Sequence, residues 1–328
     1  MTDVKVGIIG CGGIARLHAA AYASAGAKMV SAWDVSPQAS AALARETGAR
    51  VAESIEEMLT KDKPDAVSVC TPPGAHLENC RPLLAAKVAV LCEKPMEANA
   101  ESAARLAELA MSSGAPFMVA YCHRFHPPIL KLRQLIREQE LGEPLHFRNI
   151  FAGYLRLEGN HRLNPAVSGG GCVIDNGSHA VDLFRFLVGE PTHVQARIGR
   201  LRPNLPIEDF AVLHLDGPGN AHGEVTLSYS FKVSESWVEW YGSKGTAAVS
   251  YWNSGFPDLA YRVEGQDQWT PVDCSPEPDR FAGEVLHFLE CCRTGAAPRV
   301  SAEDGLAASR IVAAAYRSAL EGKLVALS

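Results

Sequence analysis

Residues 4–15 read Val-Lys-Val-Gly-Ile-Ile-Gly-Cys-Gly-Gly-Ile-Ala, an apolar run that breaks into glycines and then opens an alanine-rich stretch. Gly10, Cys11, Gly12, Gly13, Ile14 and Ala15 match the spacing G-x-G-x-x-G/A, and the match sits where that motif has physical meaning, between a strand and a helix. Gly10 allows the tight turn, Gly12 lets backbone approach a pyrophosphate, and Ala15 is small enough for the helix to pack closely on a sheet. The first N–H groups of that helix lack intrahelical partners and suit a phosphate. Asp34 closes the next β-type run, at the separation expected of the acidic residue that accepts hydrogen bonds from the adenine ribose. Its charge repels a 2′-phosphate, so the expected cofactor is NAD rather than NADP. A plainer reading gives the glycines a turn and Asp34 a cap on the helix starting near Pro37. The matched context on both sides favours the dinucleotide.

The rhythm of the first third extends this expectation. Short β-branched runs at Val4 to Ile9, Met29 to Trp33, Ala66 to Cys70, Val88 to Cys92 and Phe117 to Ala120 alternate with helical stretches beginning near Gly13, Pro37, Ser54, Ala75 and Ala100. That alternation predicts a doubly wound parallel α/β sheet of the Rossmann type over residues 1–122. After Tyr121 the pattern changes to a helix from Pro128 to Gln139, a strand from Leu145 to Tyr154 and a helix from Asp175 to Leu187. Alternating segments such as VQARIGRL, FAVLHLD, AHGEVTLSYS and GTAAVSYW then predict an open, mostly antiparallel sheet in an α+β domain over 123–328. Trp237 and Trp240 are expected on its outer face. Helices Asp279 to Arg293 and Ser301 to Glu321 close the chain and are candidates to pack back on the first domain.

Bulk properties exclude several function classes. A formal net charge of -6 offers no electrostatic footprint for nucleic acid. Nine cysteines are scattered without a C-x-x-C pair, reading as free buried thiols rather than disulfides or a zinc ribbon, and no metal is expected. No stretch is apolar for the roughly 20 residues a membrane span needs, and the first residues lack a secretory pattern, so a cytoplasmic protein is expected.

Three further clusters carry chemistry. Cys70-Thr71-Pro72-Pro73-Gly74-Ala75-His76 and Cys92-Glu93-Lys94-Pro95 each follow a strand, and the carboxyl ends of parallel strands are where ligands bind. Alone, Lys94 reads equally well as a solvated lysine. Gly169-Gly170-Gly171-Cys172-Val173-Ile174-Asp175-Asn176-Gly177-Ser178-His179 puts an acid and an imidazole at i and i+4, on one helix face. Taken alone, Asp175 reads as a helix N-cap and His179 as a core histidine.

These motifs together resemble the glucose-fructose oxidoreductase and inositol dehydrogenase family, Gfo/Idh/MocA, over essentially the whole chain: the glycine fingerprint, Thr-Pro-x-x-x-His, Glu-Lys-Pro, and Gly-Gly-Gly-x-x-x-Asp-x-Gly-x-His. The resemblance implies an NAD-dependent oxidoreductase acting on a hydroxyl-bearing carbon of a sugar, sugar derivative or cyclitol. It assigns Lys94, Asp175 and His179 to catalysis, and Pro95 resembles the proline that fixes the lysine backbone. Gly10, Cys11, Gly12, Gly13, Ile14, Asp34, Thr71, Pro72, His76, Glu93 and Lys94 are expected on the cofactor, with His76 either on the cofactor side or one layer behind it. Arg124 resembles the arginine of an Arg-Phe-x-Pro element that lines the site; the alternative is an arginine pairing with a carboxylate or a helix end. Asn160, His161 and Arg162 are candidates for substrate contact against a solvated-loop alternative, and Asn176 falls on a variable position suited to substrate choice. His179 is the expected base and Lys94 the cation on the reacting oxygen, with these two roles open to exchange, and Asp175 the group that holds a neighbouring hydroxyl or Lys94. The resemblance further implies a homodimer or homotetramer formed through the second sheet. Two other activities share the pattern: glycoside cleavage by transient oxidation with NAD recycled in place, and a non-catalytic sugar or nucleotide sensor.

Overall fold

The computed structural model describes residues 4–251 and 255–327. In chain order the first elements are β1 (Lys5–Ile9), α1 (Gly13–Ser24), β2 (Lys28–Trp33), α2 (Pro37–Thr47), β3 (Arg50–Val51), α3 (Ile55–Glu57), β4 (Ala66–Val69), α4 (His76–Ala85), β5 (Ala89–Cys92), α5 (Ala100–Ser113) and β6 (Phe117–Val119). Then follow α6 (Pro127–Arg137), β7 (Pro144–Tyr154), α7 (Pro165–Ser168), α8 (Cys172–Leu187), β8 (His193–Gly199), β9 (Phe210–Asp216), β10 (His222–Ser228), β11 (Ser230–Gly242), β12 (Gly245–Ser250), β13 (Leu259–Val263), β14 (Thr270–Pro271), α9 (Arg280–Thr294), α10 (Ala302–Glu321) and β15 (Val325–Ala326).

Local chemistry explains the helix boundaries. Ser36 and Asn99 cap α2 and α5 by accepting from the N–H groups of Ala39 and Ser102, Pro37 opens α2, and left-handed Gly48 and Gly114 end these two helices. Asp279 does the same for α9, accepting from Phe281 and Ala282, with left-handed Gly295 closing it.

The chain divides into two compact units, residues 1–122 with 278–309, and residues 123–277 with 310–328. In the first, six parallel strands run in the order β3-β2-β1-β4-β5-β6. Every residue of β4 and β5 is buried, as expected of strands covered on both faces. The strand order reverses between β1 and β4, and the glycine turn after β1 and the Thr71 loop after β4 both start there. In open α/β sheets that reversal point is where ligands lie. The short β3 escaped the sequence pattern, being only a two-residue pairing with β2. α9, though distant in sequence, packs on α1 within this unit.

The second unit is built on a nine-stranded sheet, β14-β13-β12-β11-β7-β10-β9-β8-β15, antiparallel except for the β7–β10 pair. The segment GTAAVSYW is β12 up to Ser250, and its last residue, Trp252, lies outside the described residues. α8 lies on β7, β9 and β10: Phe184 meets Phe147 edge-on at 5.6 Å and would collide with a side chain at Gly223. The expectation that Trp237 and Trp240 share an outer face is overturned. They are three apart on β11, and because strand side chains alternate with a period of two, they point to opposite faces. Trp240 is fully buried and donates its indole N–H to the Leu187 carbonyl at 3.3 Å, while Trp237 is half-buried on the other face.

Candidate functional site

In the first unit the fingerprint is assembled by backbone contact. Gly10 has φ +84, and a Cβ there would sit 2.7 Å from both the Cys70 carbonyl carbon and the Thr71 nitrogen, so only glycine lets the two turns touch. A Cβ at Gly12 or Gly13 would meet nothing within 4 Å, and no side chain caps α1. Exposed glycine backbone and uncapped N–H groups at a helix start are the donor set a pyrophosphate requires. Asp34 is half-buried; its carboxylate accepts from Cys11 N–H at 2.6 Å and Ser36 N–H at 2.7 Å, tying the end of β2 to the glycine turn. The cap of α2 is Ser36, not Asp34. Burial and the Asp34 charge push the Cys11 thiol up to about 12, so it brings no negative charge to the turn.

Thr71 and Pro72 are half-buried. His76 is fully buried, its ring nitrogens 3.2 Å from the Met96 carbonyl and 2.8 Å from the Thr71 carbonyl. Both ring nitrogens are therefore within hydrogen-bond distance of protein backbone, which places His76 behind the Thr71 loop. Glu93 is likewise engaged within the protein. Its carboxylate turns inward, one oxygen 2.9 Å from His18 Nε2 and the other accepting from the backbone N–H of Lys94 at 3.0 Å. Lys94 follows β5 and is half-buried, and the Lys94–Pro95 peptide is cis.

In the second unit, α8 carries both remaining catalytic candidates. The helix starts earlier than its sequence pattern suggests, with Gly171 as N-cap, so Asp175 lies inside the first turns and is not a cap. A Cβ on Gly171 would collide with the Glu208 carbonyl oxygen, and the Glu208 carboxylate accepts from Gly171 and Val173 N–H at 2.8 and 3.1 Å. Tyr316 donates to the same carboxylate at 2.6 Å. This acceptor at a helix N-terminus, where partial positive charge gathers, anchors the helix that bears Asp175 and His179.

One Asp175 oxygen accepts from Arg162 Nε at 2.7 Å and from the Tyr229 hydroxyl at 2.5 Å. Burial first, then the Asp175 charge, raise the Tyr229 phenol well above its usual value, keeping it a donor, and the carboxylate raises the Arg162 guanidinium. His179 is buried, and its ring meets that of His123 edge-on at 4.5 Å. His123 lies 3.0 Å from the Tyr251 hydroxyl and stacks on Phe151 at 5.0 Å.

The substrate-side candidates sort differently. Arg124 forms a buried bidentate pair with Asp182 at 2.6 and 2.9 Å and lies over the Phe186 ring, the carboxylate pairing named as its alternative. Arg162 pairs with Asp175, the acid candidate on α8, instead of lying free on a solvated loop. Asn160 caps the short turn that follows, accepting from Arg162 N–H at 3.0 Å, and His161 is exposed. Asn176 is half-buried and donates to the Phe151 carbonyl at 3.4 Å. Sequence reasoning missed Tyr229, Glu208, Tyr316 and His18. The first three reach α8 from strands, loops and a helix 35 or more positions away, and no local spacing signals such partners. All nine cysteines are free thiols. Among the described residues no helix is long and apolar enough to cross a membrane.

Comparison with known proteins places both units. A family model described as an oxidoreductase family with NAD-binding Rossmann fold matches residues 4–121, and the GFO/IDH/MocA C-terminal domain matches residues 129–248. A D-apiose dehydrogenase of Paraburkholderia graminis is 27% identical over 98% of this chain and 89% of its own. A D-xylose 1-dehydrogenase [NADP(+)] of Haloarcula marismortui is 27% identical over 81% of this chain and 75% of its own. Among solved structures, an aldose-aldose oxidoreductase from Caulobacter crescentus complexed with glycerol superposes with a TM-score of 0.90 at 25% identity, covering 99% of this chain and 100% of that one.

Proposed function

The chain belongs to the Gfo/Idh/MocA oxidoreductase family, with an NAD-binding Rossmann domain, and we propose that it is an NAD-dependent dehydrogenase of a sugar, sugar derivative or cyclitol, using Lys94, Asp175 and His179. The observation that carries this reading is the pairing on α8: an acid and an imidazole one turn apart, with the acid fixed by Arg162 and Tyr229. NAD, when bound, supplies the hydride acceptor. The uncapped start of α1 holds its pyrophosphate and Asp34 its adenine ribose, and the Asp34 charge disfavours a 2′-phosphate. His179 takes the proton from the hydroxyl being oxidised, a task suited to an imidazole whose ordinary pKa is near 6.5. The Lys94 ammonium donates to the same oxygen and stabilises negative charge as it develops. Asp175, held by two donors on one oxygen, accepts a hydrogen bond from a neighbouring substrate hydroxyl and sets the substrate's orientation.

A panel of aldoses, sugar acids and cyclitols, assayed by NADH absorbance, tests the proposal. Net NADH accumulation is expected with at least one of them. Lys94→Met and His179→Ala should each lower kcat by about 100-fold or more while leaving NADH affinity within about twofold. Full activity in Lys94→Met would overturn the mechanism.

A further inference from the structure

Beneath Lys94 lies a polar chain that the proposed reaction does not use. His18, on the fingerprint helix α1, is fully buried. Its Nδ1 lies 3.1 Å from the Ser68 hydroxyl on β4, which lies 2.8 Å from the Tyr22 hydroxyl, one turn further along α1. Its Nε2 lies 2.9 Å from one oxygen of Glu93, 7% exposed, whose other oxygen accepts the Lys94 backbone N–H. Cys70, after β4, and Glu284, fully buried on α9, are the other titratable groups acting on His18. Burial works against the charged imidazolium, yet the groups around it carry His18 well above its ordinary value, and the Glu93 carboxylate 2.9 Å away is the counter-ion the geometry offers. Burying such a pair costs several kcal/mol of desolvation per ion, and an apolar pair of similar volume often holds a fold as well or better. Stability alone therefore gives little reason to keep it. Its geometry does: the pair ends on the backbone of the residue assigned to charge stabilisation.

We propose that His18 is a positioning residue for Lys94, acting through Glu93: the His18–Glu93 contact fixes the carboxylate that holds the Lys94 N–H, and so sets where the ammonium begins its reach. The inference rests on the catalytic reading of Lys94. It also joins two parts of the first unit, since the helix whose first turn is assigned to the cofactor pyrophosphate carries, in its second turn, the group that secures the lysine.

The experiment is a double-mutant cycle between His18→Asn and Lys94→Met in the full chain, read by kcat, substrate KM and NADH affinity. A misplacement of about 1 Å can cost about 100-fold in rate, so His18→Asn should lower kcat by about tenfold or more. KM and NADH affinity should stay within about twofold, and the residual rate of Lys94→Met should fall no further when His18→Asn is added. Wild-type kcat in a folded His18→Asn protein overturns the proposal, as does an equal loss in the Lys94→Met background. Because His18 is buried, Ser68→Ala and Glu93→Gln provide milder perturbations of the same chain. Both should lower kcat severalfold without weakening NADH binding, and wild-type kcat in both overturns the proposal even if His18→Asn does not fold. A fully active Lys94→Met protein instead refutes the catalytic reading of Lys94, so the two failures are distinguishable.

Discussion

Replacing Tyr229 by Phe removes one hydroxyl from a ring that is 2% exposed and leaves the packing of that ring in place. The lost contacts are the 2.5 Å hydrogen bond to the Asp175 carboxylate and a longer one, 3.4 Å, to the Gly171 carbonyl. Hydrogen bonds to charged groups contribute about 1.5–3 kcal/mol. At roughly 1.4 kcal/mol per factor of ten, complete expression of that loss in the transition state lowers kcat by about 10- to 100-fold. Arg162 continues to donate to the same oxygen at 2.7 Å, so the carboxylate stays in place and the lower end of the range is expected. NADH affinity should stay within about twofold, because Tyr229 is not among the residues assigned to the cofactor. The assay is steady-state NADH formation with the best substrate of the panel, alongside NADH fluorescence titration and a thermal melt. If kcat changes by less than about twofold while the protein stays folded, the orientation of Asp175 does not limit turnover, and the role assigned to the Arg162–Asp175–Tyr229 group is wrong.

Asp34→Asn removes the charge but keeps a side-chain oxygen as acceptor; NADPH affinity relative to NADH should rise by about tenfold, and unchanged selectivity in a fluorescence titration would remove the cofactor argument. Glu284 is fully buried, with neither oxygen hydrogen-bonded, and burial, ahead of the opposing His18 charge and the reinforcing Glu93 charge, raises its carboxyl well above the ordinary value. Its folded form therefore holds a proton that the unfolded chain releases above about pH 4.3, so stability falls as pH rises from there toward the folded pKa. Glu284→Gln should melt higher than wild type at neutral pH, with the difference shrinking as pH drops toward 4; a pH-independent difference would refute this. Gly171→Ala forces a methyl group against the Glu208 carbonyl and should cost about 1–3 kcal/mol in chemical denaturation, and wild-type stability would show that this approach is not tight.

The sequence by itself determined what depends on neighbours along the chain. The glycine fingerprint with Asp34 at its expected separation, and the helix starts near Pro37, Ala100 and Asp279, each follow from a pattern along the chain, so their spacing is their signal. Asp175 and His179 share a helix face for the same reason, since a period of 3.6 residues fixes that relation wherever the helix lies. Tertiary structure decided which partner each side chain takes. Asp175 meets Tyr229, 54 positions away, Arg124 finds Asp182 at 58, and Glu93 finds His18 at 75. A buried charge takes whichever complementary group the packing brings within about 3 Å, and sequence separation carries no information about that distance. Trp240 makes the same point from apolar chemistry: alternation along β11 put it opposite Trp237, but only the placement of α8 decided which of the two faces became core.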